Sequence, residues 1–347
     1  MPDYDIIIIG CGPAGATLAR LIDPRFKVCI IDRKACTRRG EKVCGGLLSP
    51  DAQKQLARYG LTLPKDILVS PQIFAVKTVD LETRAVRHYQ RSYLNMNRLQ
   101  FDLWMSTLIP TSVEIIESSC SSVKRIPDGF AVTYCESNCN KTVTSKYVVG
   151  ADGANSLVRR SLFPDHKIRQ YIAIQNWYRD ESQKPFYSCI FDKKTTDCCS
   201  WSISKDGSML YGGAFPILDG KSRFKTQLER AKTCGFEFGD HFYTEACLVN
   251  RPKRVGEIFE GENGAFLVGE AGGFISPSSL EGISWAMRTG ERLAKSFNSP
   301  NPEKAYRKSV RPLKFKLWLK MLKCPFMYDP LLRNIVMASK IKSINVK

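Results

Sequence analysis

The chain is predicted to be a mixed α/β protein, and three features of its sequence predict it. Near the start, a β-branched run, Ile6 to Ile9, enters the glycine-rich turn Gly10-Cys11-Gly12-Pro13-Ala14-Gly15 and then a helical stretch. Across residues 170–250 the pattern is strand-rich, as a mostly antiparallel sheet requires. Ala265 to Val268 then returns to a buried strand, followed by Gly269-Glu270-Ala271-Gly272 and a helix beginning near Leu280. A parallel unit that is interrupted and resumed implies a Rossmann-type domain made of separate stretches, with a discontinuous antiparallel-sheet domain between them.

Each element has a local reason. Ile6 to Ile9 reads as a strand buried on both faces. Gly10 permits the sharp turn, Gly12 lets the backbone approach phosphates, and Gly15 lets the following helix sit close to the strand. That helix, roughly Ala14 to Ile22 with Pro13 leading in, points its N-terminal amides and dipole at an anion. Val28 to Ile31 is the second strand, ending at Asp32 with Arg33 beside it; Asp32 lies 17 residues beyond Gly15. A carboxylate there accepts hydrogen bonds from a ribose diol and repels a 2′-phosphate, which favours FAD or NAD over NADP.

A polar loop over 38–50 follows, with Cys44-Gly45-Gly46 inside it, then a helix over Asp51 to Tyr59. Alternation over 72–93 predicts antiparallel strands, and Arg98 to Leu108 a helix. Residues 113–149 hold a strand, a hairpin at Asp128-Gly129 and Tyr147-Val148-Val149, which leads into Gly150-Ala151-Asp152-Gly153. Strands are read over Ile172 to Trp177, Phe186 to Phe191, Cys199 to Ser204 and Met209 to Phe215, with a helix around Phe224 to Cys234. Residues 1–70, 94–165 and 252–298 are assigned to the nucleotide-binding domain, 71–93 and 166–251 to the sheet domain, and 299–347 to a basic helical tail.

At 347 residues the chain is long enough for two domains and a large core. Hydrophobic content of 43% and charged content of 25% are ordinary for a globular protein. The acidic start and four-residue apolar run fit neither a signal peptide nor a membrane span. Thirteen scattered cysteines without a C-x-x-C pair read as free thiols of a cytoplasmic protein. His88, His166 and His241 are isolated from ligand-spaced partners, so no metal is expected.

The net charge of +18 is uneven: residues 301–347 carry twelve Lys or Arg against Glu303 and Asp329. Lys316, Lys320 and Lys323 share one helical face, and Leu313, Leu317, Trp318, Met321 and Leu322 occupy much of the rest. Two readings stay open: a peripheral contact with an anionic membrane at its inner face, or packing of the apolar arc on the body of the protein. Nucleic acid is not expected, because no base-reading motif accompanies the charge.

Taken together, the three glycine motifs resemble those of FAD-dependent oxidoreductases with the p-hydroxybenzoate-hydroxylase fold, and most of all the geranylgeranyl reductase family. The resemblance covers roughly residues 1–300. It implies that the first turn, Asp32 and Arg33 bind the ADP half of FAD, and that Arg98 contacts the phosphate region. Asp152, Gly269 and Glu270 would complete the FAD site, with Glu270 where the family has aspartate at the ribityl chain. Pro277, Gly282 and Ile283 would pass beside the isoalloxazine ring. Cys44-Gly45-Gly46 is similar to the family's cysteine loop near the flavin, with Cys44 as the catalytic candidate. Tyr211-Gly212-Gly213-Ala214-Phe215-Pro216 resembles its Y-x-W-x-F-P segment, with Gly213 replacing tryptophan. That match implies Tyr211 as a second catalytic candidate, Tyr211, Phe215 and Pro216 as substrate contacts, and extra room at Gly213.

The implied activity is reduction of C=C bonds in an isoprenoid or polyprenyl lipid, with NAD(P)H or a ferredoxin-type protein as electron donor. Two alternatives share the same motifs: an FAD-dependent monooxygenase of a hydrophobic small molecule, and a flavin-loaded lipid-binding protein without turnover.

Overall fold

The strand Tyr4–Ile9 is an interior member of the first of two sheets in the computed structural model, which describes residues 1–33, 43–136, 139–180, 182 and 184–346. Its neighbours are Val28–Asp32 and Cys139–Gly150, both parallel to it, in registers that pair Ile6 with Val28 and with Tyr147. Glu114–Glu117 and Ala265–Leu267 extend the parallel part on either side, and the hairpin Cys120–Ile126 and Gly129–Glu136 adds antiparallel strands. Period-two geometry sends Ile6 and Ile8 to one core and Ile7 and Ile9 to the other. All four are at most 4% exposed, each contributing roughly 1.5–3 kcal/mol of burial.

The helices in chain order are α1 (Pro13–Leu21), α2 (Pro50–Arg58), α3 (Arg98–Thr107), α4 (Leu157–Leu162), α5 (Gly220–Lys232), α6 (Ile283–Ser296), α7 (Pro302–Tyr328) and α8 (Pro330–Ala338). Of the polar loop expected over 38–50, residues 38–42 lie outside the described residues. α1 packs closely on α6: a Cβ at Gly290 would lie 2.5 Å from the Ala14 carbonyl oxygen.

The second sheet runs in the order His241–Asn250, Gln170–Arg179, Ser208–Phe215, Ser200–Lys205, Phe186–Phe191, Ile73–Asp80, Val86–Asn95 and Ser343–Ile344. Every pair in that order is antiparallel except Phe186–Phe191 with Ile73–Asp80. α5 covers one face of this sheet through Phe224 and Ala231.

Residues 299–346 are more than a helical tail. Tyr306, Val310, Leu313 and Leu317 of α7 enter the same core as Ile6 and Trp285, and Tyr306 donates to the Leu267 carbonyl at 3.0 Å. Arg333 of α8 donates through Nε to Asp80 Oδ2 at 2.9 Å, both side chains being buried, and Ser343–Ile344 closes the edge of the second sheet. Packing therefore accounts for Leu313 and Leu317. It does not account for Trp318 and Leu322, which face outward with Phe315, Leu319 and Phe326, each at least 40% exposed. No helix among the described residues is long and apolar enough to cross a membrane.

Candidate functional site

A cavity of about 1070 Å³ begins at the first glycine turn and ends between the two sheets. This lies at the top of the usual range for ligand pockets, about 300–1,000 Å³, as a large cofactor together with a second ligand requires. Its walls come from both sheets and from α1, α3, α6 and α7.

At one end stand Gly10, Gly12, Pro13 and Ala14. Gly10 has φ +103°, and a Cβ there would lie 2.6 Å from the Ala151 carbonyl oxygen, so only glycine fits the turn. Gly15 stands behind the wall: its Cβ would lie 2.0 Å from the Gly10 carbonyl oxygen. Gly12 differs, because a Cβ there would meet nothing within 4 Å and would occupy the space a ligand needs. Asp32 and Arg33 follow at the end of the second strand, and the Cys11 amide donates to Asp32 Oδ2 at 2.6 Å. The carboxylate thus fixes the turn as well as facing the cavity.

Further in, Asp152 accepts from the Leu157 amide at 2.6 Å, and burial pushes its carboxyl up. Arg98, at the start of α3, donates from Nε to Asp102 Oδ1 at 2.9 Å and from Nη1 to the Cys44 thiol at 3.6 Å. The Gly46 amide donates to the same sulfur at 3.4 Å, so Cys44, Gly45 and Gly46 form one wall of the cavity. Behind them Lys205 is buried and donates from Nζ to Asn95 Oδ1 at 2.6 Å, the Met96 carbonyl at 2.8 Å and the Gly46 carbonyl at 3.2 Å. Burial pushes its ammonium down to about 8.

Glu270 reaches the cavity, and its Oε1 accepts from the Asn250 amide at 2.8 Å. Gly269 (φ +56°) is not in the wall; a Cβ there would lie 3.1 Å from that of Ala14. Gly282 and Ile283 line the cavity at the start of α6, where Glu281 accepts from the Ser284 amide at 2.7 Å. Pro277 is a correction: it is outside the wall, and its carbonyl accepts from Arg251 Nε at 3.0 Å.

Tyr211, Phe215 and Pro216 are corrections too. Along Ser208–Phe215, residues 211, 213 and 215 share one face of the strand. Tyr211 and Phe215 are fully buried on the α5 side with Phe224, while Ala214 packs on the opposite face with Ala173 and Cys247. None of the three lines the cavity. Nor does Gly213 open room: a Cβ there would strike Ser200 Oγ at 2.3 Å.

In their place the cavity is floored by Tyr93, Tyr187, Trp201, Ile203 and Cys247. The Tyr93 and Tyr187 rings meet edge to face at 5.6 Å, and burial pushes both phenols up. Lys320, Lys323 and Met327 of α7 complete the wall. The sequence marked only the strands that carry this floor: Tyr93 ends the alternating stretch 72–93, Trp201 and Ile203 fall in the strand read over Cys199 to Ser204, and nothing local marks Cys247.

Comparison with known proteins gives a family. Protein CbrA of Escherichia coli O6:H1 is 48% identical over 99% of this chain and 95% of its own length. The chain belongs to the CbrA family. A family model described as lycopene cyclase protein matches residues 5–170. Among solved structures, a geranylgeranyl bacteriochlorophyll reductase-like protein from Thermoplasma acidophilum superposes with a TM-score of 0.80 at 18% identity, over 96% of this chain and 90% of that one. Klebsiella pneumoniae HpxO complexed with FAD gives 0.66 at 13% identity, over 97% and 94%. This CbrA-family chain has the p-hydroxybenzoate-hydroxylase-like fold of FAD-binding flavoproteins. The cavity fits that cofactor on its own geometry, through the open space at Gly12, the α1 N-terminus and the acid at Asp32.

Proposed function

We propose that the chain is an FAD-dependent oxidoreductase that reduces C=C bonds of an isoprenoid or polyprenyl lipid. The observation that carries this reading is the single cavity joining the glycine turn to an aromatic floor beneath the second sheet. Bound FAD, once reduced, supplies hydride at its N5. The amides of α1 and the turn would hold the pyrophosphate and Asp32 the ribose, with Gly282 and Ile283 at the start of α6 as the backbone that would face the flavin. Trp201, Tyr187 and Ile203 orient the alkene and exclude water, which is where most of the barrier for an unactivated bond must be removed. Cys44, held by Arg98 and the Gly46 amide, is assigned to the reacting face as the residue that positions the alkene and delivers the proton from Sγ. Tyr93 and Tyr187 keep their phenolic protons at neutral pH and line the same cavity.

Absence of a second glycine-rich dinucleotide motif from the sequence supports a transient electron donor, NAD(P)H or a ferredoxin-type protein. The outward apolar residues of α7, set among Lys316, Lys320 and Lys323, support a peripheral contact with an anionic membrane near the cavity. Anaerobic incubation of the dithionite-reduced protein with a geranylgeranyl lipid tests the reaction. Gain of two hydrogens per bond, slowed in Cys44→Ser with FAD content unchanged, is expected. Product that forms only with oxygen present overturns the reading in favour of monooxygenation.

A further inference from the structure

A second concavity, of about 710 Å³, lies between α2, α6 and α7 and shares Asp51 and Lys320 with the cofactor cavity. Its walls are strongly cationic. Lys54 and Arg58 come from α2, Arg288, Arg292 and Lys295 from α6, and Lys316 and Lys320 from α7, against only Asp51 and Glu291. Both acids are already engaged. Asp51 pairs with Arg288 at 3.2 Å, and Glu291 accepts from Lys295 at 2.6 Å, Gln55 at 2.8 Å and Tyr59 at 3.2 Å. Among the described residues Lys54, Arg58, Lys316 and Lys320 enter no ion pair. Burial, with Arg288 and Arg58 adding like charge, pushes the Arg292 guanidinium down.

A ring of like charges around a hollow is costly. An anion with several acceptor oxygens relieves it. Arginine forks and lysine ammoniums set around a concave volume suit phosphate better than a single carboxylate. The hollow is larger than a phosphate group, and Leu319, 47% exposed, stands on its wall, so the remainder of the ligand is organic.

We propose that the α2–α6–α7 cleft binds the phosphate or diphosphate end of an organic phosphate. This site adjoins the cofactor's across Asp51 and Lys320 and does not depend on the reaction proposed above. The phosphate is carried either by a membrane lipid headgroup or by a freely diffusing molecule, and two experiments separate the sources.

In the first, the full-length protein with its cofactor is titrated calorimetrically with inorganic pyrophosphate at constant ionic strength, with sulfate as control. In the second, its retention is measured on phosphatidylcholine vesicles with and without phosphatidic acid. The variants are Lys54→Gln/Arg58→Gln on α2 and Lys316→Gln on α7. All three side chains are exposed, so melting temperature and FAD content should match wild type. Saturable pyrophosphate binding is expected, weakened about tenfold or more in the double variant and several-fold in Lys316→Gln. Retention on phosphatidic acid vesicles that pyrophosphate displaces and the variants lose assigns the lipid headgroup. Pyrophosphate binding without retention assigns a soluble organic phosphate. Wild-type protein that neither binds pyrophosphate above sulfate nor needs these cations for retention overturns the proposal, as does binding that the variants leave unchanged.

Discussion

Replacing Lys205 by methionine removes the cation that ties the Cys44 loop to the strand Val86–Asn95, and the pH dependence of the loss is calculable. In Lys205→Met, Asn95 Oδ1 and the Met96 carbonyl lose the ammonium, at roughly 1–3 kcal/mol for each buried acceptor left unpaired, while the Gly46 carbonyl keeps the Met96 amide as donor at 2.9 Å. Removing a buried charge acts in the opposite direction, so the net cost at neutral pH is smaller than that sum. Neither contribution changes with pH in the variant. In the wild type, burial pushes the ammonium from 10.5 down to about 8. Between those values the unfolded chain holds more protons than the folded one, so folding becomes more favourable as pH rises. The burden of the buried charge is complete below pH 8 and gone above about 10.5. At about 1.4 kcal/mol per unit, the full span is worth about 3 kcal/mol. Urea unfolding of both proteins at fixed FAD concentration from pH 7 to 10.5 measures the difference between them, in which all other titrations cancel. That difference should tilt toward the wild type as pH rises, by up to about 1.4 kcal/mol per unit. A flat profile would show that the three acceptors offset the burial of the charge, and a profile of opposite slope that they outweigh it; either refutes the reasoning.

Other perturbations separate local roles. Gly10→Ala forces a Cβ onto the Ala151 carbonyl at positive φ and should cost about 1–3 kcal/mol of stability, whereas Gly12→Val should purify colourless yet melt like wild type stripped of FAD. Denaturation and visible absorbance report the two outcomes. Arg333→Met leaves Asp80 buried without its partner and should destabilise by about 3–5 kcal/mol, largely recovered by adding Asp80→Asn; urea unfolding of the single and double variants tests this. Tyr211→Phe loses only a 3.4 Å contact with Gln227 and should leave turnover intact, while Tyr187→Phe in the cavity floor should lower it; steady-state kinetics distinguish them.

The parts of the site that the sequence displayed are those dictated by backbone geometry. Gly10 and Gly15 answer a local steric demand, Gly12 leaves open the space a ligand needs, and Asp32 falls at the end of a strand whose β-branched run gives its length away. Which face of the second sheet meets the cavity was not legible. Met209 to Phe215 is buried on both sides, so alternation of polarity, the signal that separates faces, is missing there. Similarity to a known segment then placed Tyr211 and Phe215 at the substrate, whereas α5 takes that face. α7 hid for a related reason, being apolar inward at Leu313 and Leu317 and outward at Phe315 and Leu319, so one amphipathic stripe could not describe it. Lys205 is a lone cation in a serine-rich strand, and only its three distant acceptors explain why it is buried.

The cavity has a further consequence for how the chain folds. Its walls draw on residues as far apart in sequence as Ile9 and Met327. Contacts of such separation close a long loop, which slows their formation relative to local ones. A chain whose α7 has not yet docked therefore holds a chamber open to water along that wall, with its aromatic floor wet.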